Sequence, residues 1–530
     1  MNKRNYNVFF NTHTVSGIVI SIALFIIFFA GAFALFKDEI AIWEEGVPLT
    51  HTDKTELDYD QFLADLDEEY TLYGRDIQIN FEGEEDKLYI FMPSSKDSLA
   101  SEEAKQSHYF SLDTQNKQTK TYDQLYSLGE FLYRLHFFAQ LPTIGIYLAG
   151  FVSFFFLFAI VSGIIVHWRK IIPQFFAFDP RKSFRRIWAD AHTLLGVIGL
   201  PFQFVFALTG TYFCLSLFVL LPANFLYDND RDRLMEDFRP SRKSIAWQEG
   251  KDIEFEGVNA FIQKVESKWN HFHMHTLRIK NYGGASMKYI LLGELSDKEK
   301  FLGAGRIIYN PISREIEEIR DPNTSVYVED FQKSLTRLHY ADFGGQATKW
   351  LYFLLAFITC FVIITGVLVW VKARDKKSAS PKQKSYTQKV GHIYMAICMS
   401  MLPVTALAFV YSKVSYSYVI NHQNNIYLFY FLSWVALALF YRFKRDNLWV
   451  SKHSFLWTGI IGLIIPVISG LISGNWVWNS LIENQIEIAT IDCLWLAMGS
   501  FCLIIYAKMT KQKPITEQIP SKKTMEVQAV

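Results

Sequence analysis

The sequence predicts a membrane all-α protein: an eight-span helical bundle with an internal repeat, plus two small external α+β domains. Three observations predict it. Eight apolar runs are each long enough to cross a bilayer, which takes roughly 20 residues for about 30 Å of hydrocarbon. Two polar stretches between those runs alternate like half-buried strands. The first part of the chain also resembles itself at fixed offsets. Composition agrees: 50 % of the 530 residues are hydrophobic, with 46 Phe and 27 Tyr, and only 20 % are charged. That is too apolar for an ordinary soluble protein and too polar for one made only of membrane helices.

The runs lie at about 14–36, 141–167, 190–222, 347–371, 390–411, 425–441, 454–473 and 488–507. The chain divides accordingly into span one (1–36), an outer domain (37–135), spans two and three (136–222), a second outer domain (223–338), span four (339–375), an inner loop (376–389), four additional spans (390–507) and an inner tail (508–530). The first run, VSGIVISIALFIIFFAGAFALF, is longer than a signal-peptide core and lacks a clear small-residue cleavage site, so it is expected to stay as a helix.

Orientation follows from Lys and Arg near the spans. Segment 169–187 has Arg169, Lys170, Arg181, Lys182, Arg185 and Arg186 against one Asp. Segments 372–389 and 442–452 and the tail are also basic, whereas loop 474–487 has Glu483 and Glu487 and no Lys or Arg. The expectation is a cytoplasmic (inner) membrane protein with both termini cytoplasmic. All five cysteines fall inside spans and no CxxC occurs, so neither a disulfide framework nor an iron–sulfur cluster is expected.

The repeat is visible in two pairs of segments. THTVSGIVISIALFIIFFAGAF matches DAHTLLGVIGLPFQFVFALTGTY at an offset of 179, and LYRLHF…VSGIIVHWRK matches LTRLHY…ITGVLVWVKA at an offset of 203. The outer domains match as well. YDQFLADLDEEY and GVNAFIQKVESKW read as amphipathic helices, each followed by strand-like runs. Repeats of this kind place sites at the interface between the two halves.

Seven of the 13 histidines sit at span ends: His13, His136, His167, His192, His339, His392 and His453. His13 is followed by Gly17 and Gly31, and His192 by Gly196 and Gly210, at the same offsets of +4 and +18. Those offsets are about one and five turns, so each histidine shares a helix face with its glycines. An imidazole that binds iron, beside positions without side chains, suits a flat macrocycle. Helix packing alone would explain the glycines but not the histidines. His13 and His192 start spans one and three on the inner side, and His136 and His339 start spans two and four on the outer side. The expectation is two haem b groups, each held by one pair of neutral imidazoles. Arg134 and Arg337, two residues before the outer histidines, are candidates for the propionates; the alternative is that they anchor the interface. His167 is a rival inner ligand, with Trp370 at its repeat position. His392 and His453 leave room for a further site. His271, His273 and His275 alternate in NHFHMHTLRI; on a strand they would share one face, as metal ligands or as a solvated surface.

No GxxxxGK[ST] occurs, and no GxGxxG follows a strand, so neither a P-loop nor a built-in flavin or nicotinamide domain is expected. An electron donor would be a separate cytoplasmic or membrane component. No nucleic-acid partner is expected.

With these residues, the chain resembles the PepSY-associated transmembrane helix family, which includes iron-regulated inner-membrane proteins and ferrisiderophore reductases. The resemblance covers about 8–375 and is most specific at VSGIIVHWRKIIPQFFAFDPRKSFRRIWADAHTLLGVIGLPFQFVFALTG, with RLHYADFGG…ITGVLVWVKAR matching the last helix. It implies PepSY-like outer domains and a haem-bearing oxidoreductase that reduces ferric chelates or siderophores outside, with the match at His13, His136, His167, His192 and His339. The chain departs from the pattern at Gln203, where relatives carry a histidine, and in 390–507, which lies beyond it. Two other functions stay open: a membrane-anchored binder of peptides or proteases, and a transporter of iron or haem.

Overall fold

The computed structural model describes residues 2–47, 57–81, 87–168, 171, 173, 184–238, 244–250, 253–269, 271–295 and 301–511. Most of the basic segment 169–187 and nearly all of the tail lie outside them.

Among the described residues, seven helices are long and apolar enough to cross a membrane: Lys3–Ala34, Ile144–His167, Gly345–Arg374, Pro381–Ser415, His422–Lys444, Asn447–Ser473 and Ile486–Lys511. The single span expected at 190–222 is instead a broken pair, Ile187–Ile198 and Leu200–Cys214, bent by 70°. Pro201 sits in the first turn of the second piece and Gly199 caps it. A proline has no N–H to donate and crowds the turn before it, and glycine adds freedom at the joint. Ser216–Leu226 is a further separate helix, with Pro222 inside.

The first three of these helices and the broken pair form one unit. Lys3–Ala34 packs against Ile144–His167 and Gly345–Arg374, and the broken pair lies between those two. Phenylalanine fills the seams: Phe29 meets Phe357 edge-on at 5.8 Å, and Phe33 meets Phe353 at 5.7 Å. Such pairs gain from complementary ring quadrupoles as well as from contact area. The last four spans form a second unit. Its seventh and eighth spans approach closely because Gly459, Gly462 and Gly499 have no side chains to hold them apart; a Cβ on Gly499 would lie 3.1 Å from the Gly459 carbonyl. Phe33 joins the units by packing on Phe409 and Trp495.

The two expected outer domains are one structure. Their strands form a single eight-stranded antiparallel sheet, ordered β4-β3-β2-β1-β5-β6-β7-β8. The strands are Ile77–Asn80, Lys87–Met92, His108–Asp113, Thr119–Thr121, Phe272–Lys280, Lys288–Leu295, Ala304–Asn310 and Glu315–Arg320, as β1 to β8. The halves meet where β1 pairs with β5, with Ile77 opposite Ile279 and Ile79 opposite Leu277. All four side chains are fully buried. Slipping that register by one residue would turn them out to the other face. Helices Tyr59–Tyr70 and Val258–Lys268 cover this core and cap each other. The Asp60 carboxylate accepts the Val258 N–H at 2.6 Å, and the Asn259 side chain accepts the Tyr59 N–H at 2.8 Å. On the opposite face, Arg278 donates to Gln78 across the seam at 3.0 Å. At its end, Asp76 accepts from Lys280, Lys96 and the Asn281 N–H.

Candidate cofactor-binding site

His13 donates its Nδ1–H to the Ala159 carbonyl at 2.8 Å, and His192 donates to the Val362 carbonyl at 2.9 Å. Ala159 and Val362 are related by the offset of 203, as the two histidines are by 179. One bond is therefore made twice, once in each half. Fixing Nδ1 in this way leaves Nε2 as a bare lone pair, the arrangement that orients metal-binding imidazoles. The two rings stand with centres 6.2 Å apart at 70°. Two imidazoles sharing one metal through bonds of about 2.0 Å put their centres roughly 6 Å apart, so this pair has the right span.

The glycines around this pair do two different things. Gly163 and Gly366, again 203 apart, lie behind the rings: a Cβ on either would stand 3.1 Å from the imidazole Cε1. Gly17 and Gly196 face open space, with nothing within 4 Å of where a Cβ would be. The sequence pattern singled out Gly17 and Gly196; it gave no role to the glycines that seat the rings.

The outer pair is built similarly. His136, the last residue of the nine-residue helix Leu128–His136, donates Nδ1–H to the Ile27 carbonyl at 2.7 Å. His339 is the last residue but one of Tyr327–Tyr340 and meets Thr209 Oγ1 at 2.8 Å. Thr209 gives its own proton to the Val205 carbonyl, so its oxygen accepts from His339 Nδ1–H and Nε2 is again free. The ring centres are 6.0 Å apart at 50°. Gly31 was expected to face a bound ring, but it seats His136, whose Nδ1 would lie 2.5 Å from its Cβ. Its counterpart Gly210 instead packs on Ser153. The symmetry fails here because the third span is bent and the first is straight.

His136, His339 and Gly210 line a cleft of about 200 Å³, walled by Phe28, Phe156, Phe206 and Phe213, with Tyr133 and Tyr340 among its polar groups. The two hydroxyls are 3.4 Å apart. Mainly aromatic walls with few polar groups suit a flat, largely apolar ligand surface. The two pairs lie at opposite ends of one unit: His13 and Ile27 are separated by about 21 Å of helix.

Other expected residues are placed differently. Neither Arg134 nor Arg337 lines the cleft. Arg134 pairs with Glu130 at 2.7 Å. Arg337 is 1 % exposed and donates to the Phe301 carbonyl and to Asp342. His167 lies within electrostatic range of both His13 and His192, so three histidines converge at this end of the unit. The 271–275 histidines are not gathered on one face: a β-bulge between Met274 and Thr276 interrupts the alternation, and His275 turns towards Glu294 at 3.5 Å. Among the described residues no group of three or more His, Cys, Asp or Glu could hold a metal ion. His392 bonds Asn447 and His453 stacks on Trp449, each within its own neighbourhood. Gln203 is buried and donates to Thr359.

A comparison with curated proteins finds none that matches the chain. The profile of the PepSY-associated TM region matches residues 10–373, which takes in every histidine of both pairs and both halves of the sheet. By that match over more than half its length, the chain belongs to the PepSY-associated TM region family.

Proposed function

We propose that this protein is a haem-carrying electron-transfer protein that reduces ferric chelates on the side of the membrane where the sheet stands. The observation that carries the reading is the doubled imidazole pair: each histidine spends Nδ1 on a fixed acceptor, and each pair is spaced for one shared metal. His13 and His192 would hold one haem b and His136 and His339 the other. Bound there, haem would supply one-electron transfer.

The chain's own residues do the rest. Gly17 and Gly196 keep the inner space open, while Gly31, Gly163 and Gly366 let the imidazoles sit tightly on the helices. The aromatic cleft walls exclude water from the outer pair, and the Tyr133 and Tyr340 hydroxyls offer the polar contact that a buried ligand edge needs. A ferric chelate that accepts one electron becomes ferrous and binds hard oxygen ligands less tightly, which frees the metal. The electron comes from a separate donor on the opposite side.

Pairing of β1 with β5 requires both halves of the sheet to lie on one side of the membrane. An even number of crossings must then separate them, which supports counting the bent pair as one span and gives eight in all. The basic segments 372–389 and 442–452 favour a cytoplasmic position for the opposite side.

Purified protein from haem-replete cells is expected to show b-type bands on reduction, with about two haems per chain, all extractable by acid acetone because no CxxCH is present. A colourless, haem-free protein would remove this reading.

A further inference from the structure

A second buried polar group lies where the last four spans meet the first unit. Asp492 of the eighth span is 0 % exposed, and Lys413 of the fifth and Glu44 of helix Lys37–Glu45 are each 2 % exposed. Asp492 Oδ1 accepts the Trp43 indole N–H at 2.8 Å. Lys413 donates to the Trp43 carbonyl at 2.5 Å and lies 5.1 Å over the Trp43 ring. Both Glu44 carboxylate oxygens receive the Leu128 N–H at 3.1 Å. The other oxygen of Asp492, Oδ2, is buried with no hydrogen-bond partner.

Charge makes this group unusual. Two carboxylates and one ammonium carry one excess negative charge if all are ionised, and all three are buried. Neighbouring groups do not supply the missing cation. Glu45 on the same helix turns to Lys87 and Lys120, and Glu39 turns to Lys349. On helix Leu128–His136, Glu130 faces Lys37 and Arg134. On the sixth span, His422 shares a small hollow with Glu44, Ser412 and Asn425, and Lys120 lies within its electrostatic range. Beside Asp492, Cys493 adds no positive charge. Burial pushes the Glu44 carboxyl up to about 7, and Ser412, the Leu128 N–H and Lys413 only partly offset it.

We propose that Glu44, Lys413 and Asp492 form a proton-binding site that takes up and releases one proton. The proton resides on one carboxyl while the Lys413 ammonium, within electrostatic range of both, balances the charge of the other. The site has a direct mechanical outlet. Glu44 caps the first N–H of the helix whose last residue is His136, so a change in its charge alters the anchor of an outer histidine. This coupling rests on the function proposed above; the proton site itself does not.

Infrared difference spectra of the full-length protein, stepped from about pH 5 to pH 8, test the site. A titrating buried carboxyl that exchanges slowly in D2O is expected in the wild type. It should disappear in Glu44→Gln or Asp492→Asn, and a second should appear in Lys413→Met, which leaves two carboxyls without a cation. Should the variants fail to accumulate, the wild-type spectrum alone decides: no such carboxyl overturns the proposal. The coupling is read from the midpoint potential of the outer haem. It should vary with pH in the wild type and lose that slope in Glu44→Gln. An unchanged slope removes the coupling but not the site, and a haem-free protein removes the function while the infrared result stands.

Discussion

His136 and His339 are 203 residues apart in sequence, yet their rings stand 6.0 Å apart, each with Nδ1 committed to the first or third span. Neither ring is free to turn without breaking a bond to a neighbouring helix. His339→Ala should therefore empty the outer site, halve the haem content and abolish reduction of an external ferric chelate, while leaving the inner haem low-spin. His167→Ala should keep both haems. Spectral quantification of each purified variant checks this; the reverse outcome would make His167 the inner ligand.

The two classes of glycine should respond oppositely to a small side chain. Gly17→Ala touches nothing and gains up to about 1 kcal/mol of helix propensity, so folding and haem content should hold. Gly17→Trp should fill the open space and prevent haem binding in a protein that still folds. Gly366→Leu should push His192 off its carbonyl and lose the inner haem alone. Haem content and thermal midpoints separate the three.

At the seam of the sheet, burial pushes the Asp76 carboxyl up, but hydrogen bonds from Lys280 and Lys96 outweigh it and hold it below its ordinary value. A depressed carboxyl contributes stability that is present above its unfolded pKa and is lost as pH falls through the folded one. Asp76→Asn should destabilise the sheet by about 2 kcal/mol at neutral pH and flatten its acid limb. Denaturation followed at several pH values reads both.

Glu44 has the opposite sign. Its carboxyl is raised to about 7 from an ordinary 4.5, so the folded protein binds more protons than the unfolded one between those values. The stability due to its protonated form is complete below the lower value and declines as pH rises through the upper one. Glu44→Gln should remove that decline, on the order of 3 kcal/mol, from the stability profile between about pH 4.5 and 7.

Sidedness is testable in a background without the five native cysteines. Single cysteines at Leu99 and Asn323, both exposed, should be labelled from outside intact cells, and one at Ser378 should not. Labelling at Leu99 but not at Asn323 would contradict the shared sheet.

Much of this was legible in the sequence because the signals were local or repeated. Hydropathy marked the spans, and two offsets paired His13 with His192 and His136 with His339. The joining of the two outer domains was not legible. β1 is only four residues long, and its partner lies some 200 residues away; nothing in IQIN says which edge it meets. The break before Leu200-Pro201 was written in the chain, but an apolar run reads as continuous when only its hydropathy is weighed. Gly163 and Gly366 stood in the quoted repeat, and their purpose emerges only once a ring from another helix lies on them. The bulge at His275 likewise depends on how β5 meets β6.

The seam between β1 and β5 also bears on how such a molecule is assembled. One half by itself would present a naked strand edge and only one imidazole of each pair, so neither its sheet nor its histidine pairs would be complete. Two identical halves would meet these needs as a two-fold homodimer, at the mercy of their concentration in the bilayer. Joined in one polypeptide, they find each other at a high effective concentration whatever the expression level. Covalent linkage also lets the halves diverge, and Trp370 opposite His167, with the bent third span opposite the straight first, records how far they have.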